Sequence, residues 1–306
     1  VCGIENTQQF SRVVGGAETE PNQYPWTVAI FRRLPNSSRL QQICGGSLVN
    51  DRYVVTAGHC FRNRTEKDIV IGLSEHNITA PIKTSAIKVA ASQIITNPSW
   101  GVSFAKSDGD IAIVKLSRSI TYSAEMRPVC LSPTGLSFEG VTATVAGWGR
   151  YEFNGNRSSQ VLRATEMPVL PLSDCESAYP KGQVTPNMVC AALADPVQDA
   201  CPGDSGGPLT WFRDGRWYLI GVVSAGDPKG TCGNPQFPGL YTRVSNYLDW
   251  IGQNTQADSN CSAKRKFLFK STSTKEKFNI KDVFLEKMSS TSWTRTGKSN
   301  EKIFRV

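Results

Sequence analysis

The segment "DIAIVKL", residues 110–116, is apolar at five of the six positions that follow its first residue. A strand with one face in water alternates apolar and polar residues, so this run predicts a strand covered on both faces. The aspartate that opens it, Asp110, would be an expensive charge there unless another group bonds to it. The segment therefore predicts buried β-structure and a carboxylate with a specific partner.

Similar short apolar runs recur between about residues 26 and 245, separated by turn residues roughly every eight to twelve positions. They are rich in Val, Ile, Tyr and Thr, which favour strands. The clearest are "WTVAIF" (26–31), "RYVVTA" (52–57), "DIVIGL" (68–73), "TATVAGWG" (142–149) and "WYLIGVVSAG" (217–226). This pattern predicts an all-β barrel or sandwich.

One helix is predicted at "SNYLDWIGQ" (245–253), where Ser245 can cap the first turn and Tyr247, Leu248 and Ile251 share one face. It ends the predicted folded part. From residue 257 onward there are 12 Lys+Arg and 5 Asp+Glu, so this stretch carries +7 of the net charge of +8. Its Ser, Thr and Lys content is typical of a disordered tail.

The cysteine content indicates the compartment. Nine cysteines in 306 residues is high usage for a reducing cytosol, so we expect a secreted, extracellular protein. Five Asn-x-Ser/Thr triplets give weak support for a secreted glycoprotein; they begin at Asn36, Asn63, Asn77, Asn156 and Asn260. No signal peptide and no initiator Met are visible, which suggests a trimmed or partial chain. No apolar stretch is long enough for a membrane span.

The search for a base is short because the chain holds only two histidines, His59 and His76. His59 follows a β-branched run and lies beside Cys60, which could fix its position. His76 lies in the polar stretch "SEHNIT" (74–79) and is interpreted as a solvated loop residue. His59 is therefore the candidate base.

An imidazole accepts a hydroxyl proton best when a buried carboxylate holds one tautomer. Asp110 meets that need, whereas Asp108 is interpreted as an ordinary loop acid. Ser205, set among glycines in "DACPGDSGGPL" (199–209), is a hydroxyl that such a base could activate.

Six segments carry a resemblance to a known family. These are "RVVGG" (12–16), "TAGHC" (56–60), "DIAIVKL", "GWG" (147–149), "DACPGDSGGPL" and "GLYTRV" (239–244). In this order they resemble the chymotrypsin-like serine proteases of the trypsin type over about residues 13–253. The resemblance implies two six-stranded antiparallel β-barrels, a C-terminal helix and an active site in the cleft between the barrels.

The same resemblance implies a serine endopeptidase that needs no cofactor. Ser205 would attack the scissile carbonyl, His59 would take and return the proton, and Asp110 would orient the imidazole. The backbone N–H groups of Gly203 and Ser205 would bind the oxyanion. Ser224, which we group with the substrate-binding residues, matches the serine that helps hold the aspartate.

The resemblance also implies a primary specificity pocket with Asp199 at its floor. A carboxylate there predicts cleavage after Arg or Lys. Ala200 lacks a hydroxyl that would favour the lysine ammonium, so arginine is preferred. Gly226 and Gly239 match the glycines of the pocket wall. Ala225 departs from the family pattern, in which a tryptophan lines the neighbouring subsite.

The segment "FSRVVGG" matches a zymogen cleavage site at the bond from Arg12 to Val13. The new α-amino group of Val13 would pair with buried Asp204 and reorganise the oxyanion loop. This divides the chain into a propeptide or light-chain remnant (1–12), a serine protease domain (13–255) and a basic tail (256–306).

Spacing alone leaves many cysteine pairings open. The resemblance implies Cys44 with Cys60, Cys175 with Cys190, Cys201 with Cys232, and Cys2 with Cys130, which leaves Cys261 over. A segment tied through Cys2 also resembles, more weakly, the linker of clip-domain-type zymogen proteases of invertebrate haemolymph. In that case an upstream regulatory module is missing and the substrate is another zymogen or precursor.

Two alternatives remain open from the sequence. The chain could be a catalytically inactive homologue that acts as a binding or cofactor protein, or its basic tail could bind anionic polysaccharide. Expected partners are substrates with Arg or Lys at the cleaved bond, an activating protease and protein inhibitors, but no nucleic acid. No metal ligand set is recognised, although this family can bind calcium in the loop around Glu75.

Overall fold

The computed structural model describes residues 1–6, 17–80, 85–101, 107–150, 157–193, 203–228, 234 and 236–255. They belong to the first of two units, Val1–Cys261, and the second unit, Ser262–Val306, lies outside the described residues. Within these ranges the strands are β1 Ala17–Glu18, β2 Thr27–Arg33, β3 Leu40–Leu48, β4 Tyr53–Thr56, β5 Ile69–Leu73, β6 Ile87–Thr96, β7 Ala112–Leu116, β8 Cys130–Leu131, β9 Thr142–Gly147, β10 Arg163–Leu170, β11 Met188–Ala191, β12 Pro208–Arg213, β13 Arg216–Ala225 and β14 Gly239–Arg243.

The first barrel is a closed antiparallel ring in the order β2-β3-β4-β7-β6-β5. Strand β7 lies inside the quoted segment 110–116, and its register places Val114 opposite Val54 of β4. Residues 111–114 and Leu116 have no exposed surface. The prediction of a strand covered on both faces is confirmed.

The second barrel contains β9, β10, β11, β14, β13 and β12, and it closes where β12 pairs with β9. Strand β1 adds to β10, and β8 runs parallel to β13. The predicted fold of two six-stranded antiparallel barrels is therefore confirmed.

One apolar core joins the two barrels. Its buried residues include Trp26 and Val55 from the first barrel and Trp148, Trp217 and Val222 from the second half of the chain. Burying each large side chain stabilises the fold by roughly 1.5–3 kcal/mol, so the facing walls of the barrels are held firmly together. Residues at this boundary can therefore hold catalytic groups in fixed positions.

The helices are short, and one prediction about them is wrong. The α-helices are α1 Leu172–Ala178 and α2 Leu248–Thr255, and 3-10 turns span Gly58–Phe61, Glu66–Asp68 and Val244–Tyr247. Ser245 does not cap a helix, because the chain leaves β14 through the last of these 3-10 turns and the Ser245 hydroxyl bonds to the Asn246 side chain. The three residues expected to share one face all pack against the core: Tyr247 and Ile251 are buried, and Leu248 is half-buried.

Three disulfides lie within the described ranges, and they are pairs that the family resemblance implies. They join Cys2 to Cys130, Cys44 to Cys60 and Cys175 to Cys190. The expected pair of Cys201 and Cys232 lies outside the described residues. The helices that the structure describes include none with the length and apolar character needed to cross a membrane.

Candidate active site

His59 lies in the 3-10 turn that follows β4, and its ring is held by Asp110. The His59 Nδ1 atom lies 2.7 Å from Asp110 Oδ2, and the His59 backbone N–H donates to Asp110 Oδ1 at 2.8 Å. Because a carboxylate only accepts, Nδ1 carries the proton, and Nε2 of the neutral ring is left as an acceptor. The Asp110 side chain is 3% exposed and that of His59 is 27% exposed, so the base can be reached from solvent while its partner cannot.

Asp110 also receives hydrogen bonds from the second barrel. The Ser224 hydroxyl in β13 donates to Asp110 Oδ2 at 2.6 Å, and the Thr242 hydroxyl in β14 donates to the Asp110 carbonyl at 2.8 Å. The carboxylate therefore has the specific partners that its buried position requires. These bonds come from the second barrel and fix Asp110, which lies two residues before strand β7 of the first barrel.

Ser205 lies on the loop before β12, against the first barrel. Its carbonyl accepts a hydrogen bond from the Gly45 backbone N–H at 2.8 Å, next to the Cys44–Cys60 disulfide beside His59. The described contacts include no hydrogen bond from the Ser205 hydroxyl to the His59 ring. Such bonds are often long in an unliganded enzyme and tighten when substrate binds.

Glycines give the Ser205 loop its shape. Gly203 has φ +108°, and Gly206 has φ +77°. A Cβ atom at Gly206 would overlap the Thr56 hydroxyl, so the loop can approach β4 only because this residue is glycine. Positive φ at both positions turns the backbone around Ser205.

The Gln42 side chain supports this loop, and sequence reasoning missed it. Its Nε2 atom donates to the Gly203 carbonyl at 3.0 Å and to the Cys44 carbonyl at 3.1 Å. Gln42 therefore links the proposed oxyanion loop to β3. Gln42 and Gly203 are 161 residues apart in sequence, so no local pattern could have indicated this contact.

Asp204 is buried beside Ser205, at 8% exposure. Its Oδ1 atom accepts a hydrogen bond from the Gly149 N–H at 2.7 Å. A Cβ atom at either Gly147 or Gly149 would overlap the carboxylate. The "GWG" segment, which the sequence offered only as a family signature, therefore makes the space that the Asp204 carboxylate fills.

Asp108 has a larger role than the ordinary loop acid that the sequence suggested. Its Oδ1 atom accepts hydrogen bonds from the Thr185 hydroxyl at 2.8 Å and from the Asn187 side-chain N–H at 3.1 Å. Both donors precede β11 of the second barrel. The turn that leads to Asp110 is therefore tied to the second barrel.

His76 is a structural residue, and its interpretation as solvated is wrong. Its side chain is 13% exposed, and its Nε2 atom lies 3.0 Å from Glu18 Oε1. Its carbonyl accepts the Trp148 indole N–H at 2.9 Å. The neighbouring Glu75, considered for calcium, is buried and pairs with the Lys88 ammonium at 2.8 Å.

Part of the predicted site lies outside the described residues: Asp199, Ala200, Arg12 and Val13. The two predicted wall glycines are described. Gly226 follows β13, and a Cβ atom there would meet nothing within 4 Å. Gly239 opens β14, where a Cβ atom would lie 3.1 Å from the Ala191 carbonyl and the Tyr241 ring.

One group of potential metal ligands occurs among the described residues, and it consists of Cys44, His59 and Cys60. The two sulfurs are joined to each other as a disulfide. A metal would need thiolates, so this group does not fit a metal ion.

Two closed barrels, with a histidine and a buried carboxylate at their junction, are the architecture of the chymotrypsin fold. Residues 13–251 match the family model described as Trypsin. The chain therefore belongs to the trypsin family of serine proteases, and the resemblance seen in its motifs is confirmed.

Two relatives show which members of the family it is similar to. The proclotting enzyme of Tachypleus tridentatus is 36% identical over 266 residues, which cover 83% of this chain and 68% of the relative. The CLIP domain-containing serine protease B4 of Anopheles gambiae is 35% identical over 268 residues, which cover 83% and 72% respectively.

Proposed function

We propose that this chain is a trypsin-like serine endopeptidase that cleaves protein or peptide substrates after Arg or Lys. The observation that carries the proposal is the Asp110 Oδ2 atom, which bonds to both His59 Nδ1 and the Ser224 hydroxyl. This arrangement leaves His59 Nε2 as an acceptor for a hydroxyl proton. Ser205 is the hydroxyl whose loop contacts the same side of the first barrel.

In the proposed reaction, the Ser205 oxygen attacks the scissile carbonyl carbon while His59 Nε2 takes the hydroxyl proton. His59 then gives this proton to the leaving amine, and the acyl group remains on Ser205 until water releases it. The N–H groups of Gly203 and Ser205 stabilise the oxyanion, and each such donor lowers the barrier by about 3 kcal/mol. Gln42 and Gly206 help by fixing the shape of this loop.

The specificity for Arg or Lys is proposed from Asp199, with a preference for arginine from Ala200. The argument is chemical, because a carboxylate at the floor of a narrow pocket attracts a cationic side chain. Gly226 supports it, since the space where its side chain would stand is open. Gly239 is the second wall glycine of this proposal, and it pairs with Ala191 where β14 meets β11.

We further propose that the chain is secreted as a zymogen and activated by another protease at the Arg12–Val13 bond. The disulfides within residues 1–193 support an oxidising compartment. The space that Gly147 and Gly149 leave for Asp204 supports a role of this buried acid in activation. On this proposal residues 1–12 are the propeptide or light chain, 13–255 the protease domain and 256–306 a tail.

A relative named as a proclotting enzyme supports a place among zymogen cascades. The natural substrate would then be another zymogen or precursor, and protein inhibitors would control the active form.

The test begins with zymogen cut at Arg12–Val13. The cut protein is offered a small arginine ester and a peptide library, and it is treated with an organophosphorus probe. Turnover with cuts after Arg or Lys, and labelling of Ser205, are expected, while Ser205→Ala serves as the control without a nucleophile. No turnover and no labelling would instead favour an inactive homologue that acts by binding. Frequent cuts after Phe or Leu would overturn the role given to Asp199.

A further inference from the structure

A tryptophan covers the backbone beside the proposed base. Two carbons of the Trp100 ring lie 3.0 and 3.1 Å from the position that a Cβ atom at Gly58 would take. The Asp110 Oδ1 atom lies 3.4 Å from the same Cβ position. Trp100 therefore packs on the turn that carries His59, close to the position where the Asp110 carboxylate also approaches Gly58.

An arginine lies against this tryptophan ring. The guanidinium carbon of Arg62 is 5.3 Å from the centre of the Trp100 ring, within the range of a cation–π contact. Arg62 follows the His59 turn directly, and its side chain is exposed. The ring therefore contacts an exposed cation that lies three residues after the proposed base His59 in the chain.

The neighbouring charged groups leave this cation available. In the described parts of the chain, no carboxylate forms an ion pair with Arg62. The Asp68 Oδ2 atom accepts hydrogen bonds from the Thr65 hydroxyl and backbone N–H. Arg64 donates inward to the Cys60 and Arg62 carbonyls.

We propose that Arg62, held on Trp100, is a specificity-determining residue that selects substrates with a carboxylate side chain within two residues of the cleaved bond. The inference rests on the proposed endopeptidase function, because it concerns the substrate of that same site. A guanidinium group offers planar paired donors that match a carboxylate.

The expected preference is modest because Arg62 is exposed. An exposed ion pair corresponds to about a two- to fivefold ratio of kcat/KM at low ionic strength, and salt should reduce it. The ring contact restricts the arginine side chain before substrate arrives, so less freedom is lost on binding. The readout is therefore a ratio between matched substrates rather than an absolute rate.

The experiment uses activated enzyme and peptide amides with Arg at the cleaved position. At each of the two positions on either side, Glu is compared with Gln, at low and high salt. Wild type should favour Glu at one or more of these positions by about two- to fivefold, more strongly at low salt. Arg62→Ala should abolish this ratio, and Arg62→Glu should reverse it. The reversal keeps the inference testable if Arg62→Ala lowers activity on every peptide.

Arg213→Ala is a matched control, because the Arg213 guanidinium also lies over a tryptophan, 5.2 Å from the Trp211 ring centre. Arg213 lies at the end of the β12–β13 hairpin that is far from Ser205 in the chain. This variant should keep the wild-type ratio. None of these changes alters the triplet that begins at Asn63, so any glycan there stays the same. Equal cleavage of Glu and Gln peptides by wild type, or an unchanged ratio in both Arg62 variants, would overturn the inference. Failure of wild type to cut any peptide would instead contradict the proposed function.

Discussion

The Gly149 backbone N–H donates a 2.7 Å hydrogen bond to Oδ1 of Asp204, in a space that exists because residues 147 and 149 lack side chains. Asp204 precedes Ser205 directly, so the position of this carboxylate sets where the loop can lie. A buried acid next to the nucleophile thus couples the packing of the second barrel to the geometry of the site.

Replacing Gly149 by alanine should therefore impair catalysis, because the added Cβ atom would displace the Asp204 carboxylate. A shift of about 1 Å in a catalytic group can cost roughly 100-fold in rate, so we expect a fall in kcat/KM of about that size. The measurement is kcat/KM on an arginine amide after activation.

Gly140→Ala is the control, since Gly140 has φ +78° and no neighbour within 4 Å of its Cβ position. It should lower stability by about 1–2 kcal/mol, because alanine is strained at positive φ, and leave kcat/KM unchanged. Full activity of Gly149→Ala would contradict the prediction.

The Ser224 hydroxyl orients the Asp110 carboxylate, so Ser224→Ala should slow the reaction. Loss of a hydrogen bond to a charged group is worth about 1.5 kcal/mol, which corresponds to roughly a tenfold lower kcat/KM. Thr242→Val is a matched control because it removes a bond to the Asp110 carbonyl rather than to its carboxylate. It should reduce stability more than activity. Equal losses of kcat/KM in the two variants would show that the carboxylate bond has no special role.

The strands were predictable from sequence because the signal for a strand is local. Each quoted apolar run contains or overlaps one of β2, β4, β5, β7, β9 and β13. The runs missed the other eight described strands, among them β3, "LQQICGGSL", whose central glycines and polar residues break the pattern. The family motifs then supplied the arrangement in two six-stranded barrels, which no short run contains.

The supporting contacts of the site could not be predicted in this way. Asp108 bonds to residues 77 and 79 positions away, and Gln42 bonds to a carbonyl 161 positions away. A polar side chain in a loop looks the same in sequence whether or not such a partner exists. The helix cap predicted at Ser245 failed for the opposite reason. The local sequence signal was good, but the chain leaves β14 directly into a 3-10 turn, so Ser245 lies inside that turn.

Asp108→Ala should destabilise the fold, because it removes the acceptor of two hydrogen bonds that join the barrels. We expect the free energy of unfolding to fall by about 1–3 kcal/mol, measured by urea titration of the Ser205→Ala form to prevent self-digestion. Asp108→Asn keeps an acceptor oxygen and should recover most of the loss. If Asp108→Asn is as unstable as Asp108→Ala, the charge rather than the hydrogen bonds is what matters.

The segment before the proposed cleavage site should stay attached after activation. Cys2 is bonded to Cys130, the Gly3 N–H donates to the Pro128 carbonyl at 2.8 Å, and the Gly3 carbonyl accepts the Trp217 N–H at 2.9 Å. Mass spectrometry of the cut protein should show residues 1–12 retained without reductant and released with it. The Cys2→Ser variant should release the peptide without reductant once it is denatured. Release from the intact wild type under non-reducing conditions would argue against the tether.

Stability at high pH should depend on Tyr247, whose hydroxyl is buried. Among the described residues it has no hydrogen-bond partner of good geometry, although Gly109 and Ser99 lie nearby. Burial and then the charge of Asp108 raise the pKa of Tyr247 to about 12. An unfolded tyrosine has a pKa of ~10, so the stabilising contribution is complete below pH ~10 and is lost as the pH rises to ~12.

Tyr247→Phe removes the unpaired hydroxyl and should be equally or slightly more stable at pH ~8, by up to about 1 kcal/mol. Between pH ~10 and ~12 it should lose roughly 1–2 kcal/mol less stability than wild type, measured by urea titration of both proteins across pH. The same slope in Tyr247→Phe as in wild type would rule this tyrosine out as the cause.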